Sequence, residues 1–147
     1  MIYITLIIIA LIVFLLFIPV FPSKSLKDPY KIKLTINEKT LIASMNSNSS
    51  SLAFKKLISR KPLIINMRDY GSMEKVGMLL RPLPTNNKQI TAQPGDIILY
   101  MGRSIVVYYD FNSWNFTKIG HIENITQQEL KNILGKDKVK IKFELIK

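Results

Sequence analysis

Apolar side chains recur along this chain with three spacings, and each spacing predicts a different kind of element. From Ile2 to Val20 the run is continuous: no side chain is charged, and Ile, Leu, Val and Phe dominate. As a helix, such a run would span roughly 28 Å, close to the hydrocarbon thickness of a bilayer. Pro19 and Pro22 close it, and the polar tract Ser23–Asp28 follows. At Tyr30 the pattern switches to strict alternation, with Tyr30, Ile32, Leu34 and Ile36 on one face of a half-buried strand. Asn37-Glu38 makes a turn, and Lys39–Met45 supplies a second strand. Asn46–Ser51 reads as a polar loop whose serines cap a helix. Leu52, Phe54, Leu57 and Ile58 fall near helical spacing before Pro62 stops the element.

Strand-like patterns return after Pro62. Leu63–Met67 is apolar enough for a buried strand, Arg68–Lys75 is read as a turn around Gly71, and Val76–Pro82 runs extended. Thr85–Thr91 is expected to be a polar loop. Ile97–Met101 and Ile105–Tyr109 are apolar on both faces and predict a hairpin, with Gly102-Arg103 as a two-residue type II′ turn. Strands apolar on both faces must be covered on both, which suits the centre of a barrel or a sandwich. Phe111–Asn115 is expected to be a loop carrying Trp114, and Phe116–Ile122 another strand. Thr126-Gln-Gln-Glu129 has the capping-box pattern, with Leu130, Ile133 and Leu134 as the buried stripe and Gly135 as the stop. At the C-terminus Lys136, Lys138, Lys140 and Lys142 alternate with Val139, Ile141, Phe143 and Leu145, which predicts a strand with a lysine face.

Composition adds location to this picture. A length of 147 residues suits one domain, and the first 22 are read as a transmembrane anchor or signal sequence. Residues 23–29 form a linker and residues 30–147 the folded domain. The run lacks a basic n-region and a small-residue cleavage pattern, so we read it as an uncleaved anchor. All charged side chains lie beyond residue 23, and the net charge is +11. Lys24, Lys27, Lys31 and Lys33 flank the C-terminal side of the span, which by the positive-inside rule would keep the domain in the cytoplasm. A single N-terminal span before a compact domain more often exports it, and we take the extracytoplasmic face as the expectation. The basic excess would favour anionic partners, although the lysine stripe also serves to keep a strand edge from pairing with other chains.

Candidate chemistry is sparse. The chain has no cysteine, a single histidine and no Gly-x-Ser-x-Gly, so neither a metal centre nor a nucleophilic triad is expected, and no cofactor is implied. Basic charge without an interleaved aromatic motif gives no case for nucleic acid. His121 reads as structural, and Asp96, after Pro94-Gly95, as fixing its own turn.

Tyr70-Gly71-Ser72-x-Glu74-Lys75, Pro94-Gly95-Asp96-Ile97 and Ile119-Gly120, set in this order of elements, resemble the bacterial cyclophilin-like domain family. The resemblance covers Tyr30 to Ile146. It implies a mainly β fold: a small closed barrel with two short helices, here preceded by one N-terminal transmembrane or signal helix. It does not imply a reaction, because the Phe-Met-x-Gln-Gly-Gly-Asp stretch of true prolyl isomerases is missing. The expected function is therefore a membrane-anchored, non-enzymatic module that binds a small ligand, a peptide or an envelope component. A prolyl isomerase using Arg68 and a polyanion-binding surface protein are the alternatives. No catalytic residues are assigned. The expected ligand site is Arg68, Asp69, Tyr70, Glu74, Lys75 and Trp114, where the Arg68–Lys75 turn meets the barrel mouth.

Overall fold

A computed structural model describes residues 29–135 and 137–147. The apolar run read as an anchor lies outside them, and neither described helix is long and apolar enough to cross a membrane. In chain order the elements are β1 (Tyr30–Ile36), β2 (Lys39–Met45), α1 (Ser49–Ser59), β3 (Leu63–Tyr70), β4 (Glu74–Met78), β5 (Lys88–Ala92), β6 (Asp96–Tyr100), β7 (Ser104–Tyr108), β8 (Asn112–Ile122), α2 (Gln127–Leu134) and β9 (Val139–Leu145). Neighbouring strands run β2-β1-β9-β3-β4-β7-β6-β8, and β2 pairs with β8 to close an antiparallel eight-stranded barrel. Closure brings β2 and β8 so near that a Cβ on Gly120 would stand 2.5 Å from the Met45 sulfur. The mainly β barrel with two helices is thus the fold, and it leaves no open edge between β2 and β8.

Alternation fixes which side chains fill the barrel. Ile32, Leu34 and Ile36 of β1, Ile97 and Leu99 of β6, Ile105 and Val107 of β7, and Ile141 and Phe143 of β9 are fully buried in one cluster. Helix α1 adds Phe54 and Ile58 to this cluster, with the Phe54 ring edge-on to Phe143 at 5.8 Å. Burial of rings of this size contributes several kcal/mol; truncating Phe54 to alanine would cost about 3–5 kcal/mol. The helix is tied to β1 by the Tyr30 hydroxyl, which donates to the Ser51 carbonyl at 2.7 Å. Burial pushes that phenol up to about 12, against the opposing Ser51 hydrogen bond. Asn48, not a serine, is the cap: its side chain accepts from the Ser51 amide at 2.9 Å, while Ser50 and Ser51 are buried. Helix α2 carries the expected capping box at Thr126 and Glu129 and buries Leu130 and Leu134.

A second, smaller cluster lies outside the barrel. Ile98, Val106 and Tyr108 face outward from β6 and β7, and Ala92 and Phe116 close over them. Their cover is a ribbon in which β5 pairs with the first half of β8, Lys88↔Phe116 to Ala92↔Asn112. The two-sided apolar character of the β6–β7 hairpin therefore has its reason: one face fills the barrel and the other lies under the ribbon. Both halves of that ribbon correct the sequence reading. Residues expected to be loops, Thr85–Thr91 and Phe111–Asn115, contain all of β5 but Ala92, and the start of β8. Their polar or exposed side chains hide strands whose pairing is long-range.

Hairpin ends also differ from expectation. At Tyr100 the turn centres on Met101-Gly102, both at positive φ, with Arg103 N donating to Tyr100 O at 3.1 Å. That is the type I′ arrangement rather than a type II′ turn at Gly102-Arg103. Glycine is required twice over at 102, since a Cβ would lie 2.7 Å from the Leu83 carbonyl oxygen. Likewise β3 continues to Tyr70 and β4 starts at Glu74, so only Gly71-Ser72-Met73 forms the turn. Arg68, Asp69, Glu74 and Lys75 are strand residues.

Candidate functional site: an aromatic cleft outside the barrel

Because β3 and β4 are strands up to their shared turn, successive residues point to opposite faces of the sheet. The six residues expected to form one site are separated by this alternation. Asp69 and Lys75, which pair across the hairpin, share one face. The fully buried Lys75 ammonium lies 3.0 Å from the Asp69 carboxylate and donates to the Asp137 carbonyl at 2.6 Å. The Tyr109 hydroxyl donates to the same Asp69 oxygen at 2.5 Å. Burial of Asp69 acts to raise its pKa, but the Tyr109 and Lys75 hydrogen bonds and the Lys75 charge outweigh it, so the carboxyl sits below the usual value. The same contact, with burial first, raises the Tyr109 phenol. This cluster satisfies itself.

Arg68, Tyr70, Glu74 and Trp114 occupy the other face and line one cleft of about 380 Å³. Its floor is the outer face of β4 and β7, with Val76, Val106 and Tyr108, and its far wall is the first half of β8. Period-two spacing along β8 turns Asn112, Trp114 and Phe116 toward it. Tyr70, Tyr100 and Trp114 stand at the opening, 65%, 40% and 60% exposed. Below them Phe116 packs on Tyr108 at 5.6 Å and on Tyr100 at 6.5 Å.

Among the described residues Glu74 is the one acidic side chain in this cleft, and it is only 8% exposed. Cross-strand pairing sets it opposite Tyr70 on one side and Tyr108 on the other. Burial raises its pKa; a hydrogen bond from Tyr108 opposes this, and the nearby Asp69 charge adds to it. Burial, then the Glu74 contact, raises the Tyr108 phenol, and the Asn112 amide donates to its oxygen at 3.2 Å. Among the described residues neither Glu74 nor Arg68 takes part in an ion pair within 4.0 Å. A nearly buried carboxylate without a cation is costly to hold in place.

The expected site left out Tyr100, Tyr108, Asn112, Val76, Met78 and Phe116, which all line the cleft. The missed signal was parity: 74, 76 and 78, 104, 106 and 108, and 112, 114 and 116 each share a face. Larger surface grooves exist. One of about 540 Å³ runs between α1 and Arg81–Pro84, and one of about 630 Å³ lies along β3 and β4. Neither is lined by a buried charged or polar side chain or by an aromatic ring, and so neither offers an oriented contact.

The remaining candidates are structural in geometry. Asp96, 2% exposed, accepts from the Gln93 amide at 3.0 Å and lies 2.7 Å from both Lys118 Nζ and His121 Nδ1. It ties the Pro94-Gly95 turn to β8. On the lysine face of β9, Glu144 sits 3.2 Å from Lys33 and 3.1 Å from Lys142, so part of that stripe is neutralised. Lys136 lies outside the described residues.

Comparison with known proteins bears on the fold. The sequence model of a cyclophilin-like family matches residues 34–144. The solution structure of a hypothetical protein from Archaeoglobus fulgidus is similar with a TM-score of 0.61, covering 86% of this chain and 100% of that one at 11% identity. No curated protein matches.

Proposed function

This chain belongs to the cyclophilin-like family, and from that premise we propose that it is a membrane-tethered binding module whose outer cleft takes a small ligand or a short peptide. The observation that carries the reading is the convergence of three exposed rings and one nearly buried carboxylate on a single cleft. Apolar walls with a few placed polar groups are what small-molecule and peptide sites present. Large exposed aromatics gathered in one place, rather than scattered, mark contact surfaces. Residues 2–20 would hold the barrel at the membrane, with the cleft on the extracytoplasmic side.

Trp114 is the only tryptophan in the chain, so its emission reports on the cleft. Titration of the full chain in detergent micelles with short peptides and aromatic small molecules should give saturable changes that Tyr70→Ala weakens. Emission that ignores every probe would overturn the reading. Fractionation and protease access to intact cells test the tether: the protein should stay in the membrane fraction and be cut from outside.

A second reading has one observation in its favour. Arg68 extends from β3 into the same cleft as the rings, which is the combination a prolyl isomerase needs to hold and polarise a proline amide. A proline-peptide isomerisation assay separates the two. Turnover abolished by Arg68→Ala would establish the enzyme; binding without turnover supports the module.

A further inference from the structure

We propose that the outer cleft selects ligands carrying a cationic nitrogen, an alkylammonium or guanidinium group, with Glu74 as counter-charge and the surrounding rings as its walls. This rests on the reading of the cleft as a binding site and adds the class of ligand. Glu74 lies between Tyr70 and Tyr108 across the strands, and Tyr100, Trp114 and Phe116 complete the surround. Ring faces attract a cation through their quadrupole, most strongly when water is excluded. A carboxylate at the base adds direct charge, and at 8% exposure it is screened far less than a surface acid. Among the described residues this acid has a tyrosine hydroxyl and no cation within pairing distance, whereas Asp69 on the opposite face has its lysine at 3.0 Å. What Glu74 lacks, a ligand can bring.

Two features act against a cation. The chain carries a net charge of +11, and Arg68 lines the same cleft. Net charge acts at long range through salt and is largely screened beyond about 10 Å. Arg68 is exposed and pairs across from Val76, two positions along the ladder from Glu74. It is a rim charge that weakens the preference without reversing it. It would also meet a carboxylate on the far end of a zwitterionic ligand.

Three probes of one shape and different charge decide the matter: phenethylammonium, 2-phenylethanol and phenylacetate, each titrated into the full chain in micelles with Trp114 emission as readout. Phenethylammonium should bind about tenfold more tightly than 2-phenylethanol, equivalent to about 1.4 kcal/mol. Glu74→Gln should erase that difference, while Arg68→Ala should tighten the ammonium probe. Should the glutamine variant fail to fold, the comparison among probes on the native protein and the Arg68→Ala arm still decide. Equal affinity for the ammonium and the alcohol would overturn the inference and leave the binding site standing. Preference for phenylacetate would overturn it in favour of Arg68. No response to any probe would overturn both this inference and the binding reading beneath it.

Discussion

Asp69 and Glu74 sit on one hairpin, a turn apart, and face opposite ways. On the inner side Asp69 has a lysine at 3.0 Å and a tyrosine hydroxyl at 2.5 Å, and its pKa is lowered. On the outer side Glu74 is nearly buried, has no cation within pairing distance among the described residues, and its pKa is raised. Burial pushes both carboxyls the same way; the difference lies in what the neighbouring strands supply. A cluster that completes its own contacts stabilises the fold, and one left incomplete is available to a ligand. On the proposed reading, the two faces of one hairpin divide structure from recognition.

The division breaks most sharply at Lys75. Lys75→Ala leaves Asp69 without its cation and opens a void in a fully buried position, so stability should fall by about 2–4 kcal/mol in urea unfolding. Binding by the fraction that stays folded should be unchanged. Tyr109→Phe removes one hydrogen bond from the same cluster and should cost about 1 kcal/mol.

On the outer face the sign reverses. Glu74→Gln removes a buried charge that no cation among the described residues balances, so stability at pH 7 should hold or rise, within about 1 kcal/mol. The pH dependence follows from the direction of each shift. Glu74 has its folded pKa raised above the ordinary value of 4.5, so the native state binds the extra proton between 4.5 and that raised value. Its destabilising contribution is absent below 4.5 and grows as pH rises through that window. Asp69 is lowered from 3.8, so its contribution is present above 3.8 and is lost as pH falls toward the depressed folded value. Stability curves of Glu74→Gln and Asp69→Asn, each compared with the native protein, should therefore diverge from it in different pH windows and with opposite signs. The smallest effect belongs to Trp114: at 60% exposure, Trp114→Ala should change stability by no more than about 0.5 kcal/mol, while ligand contact is weakened.

How much of this the sequence disclosed depends on burial pattern. Strands β1 and β9 were legible because their alternation is clean and one-sided, and α2 because its capping box is local chemistry. Strand β5 and the first half of β8 were not, since Lys88, Gln89, Asn115 and Trp114 are exposed on the ribbon and nothing local requires them to be extended. The candidate residues were found by their crowding around Gly71. Their separation onto two faces was hidden because it depends on β3 running to Tyr70 and β4 starting at Glu74, which the turn residues alone do not fix. Tyr100 and Phe116 reach the cleft from strands distant in sequence, and the β4–β7, β6–β7 and β6–β8 pairings bring them there.

Backbone and side-chain NMR of the full chain in micelles, recorded as a mixture of small aromatic and amine-bearing compounds is added, tests the central claim most directly. The account predicts shifts confined to Arg68, Tyr70, Glu74, Tyr100, Tyr108 and Trp114, with Asp69, Lys75 and Tyr109 unmoved behind them. Shifts centred on the α1–Arg81 groove, or on the Asp69–Lys75 face with the cleft silent, would contradict it.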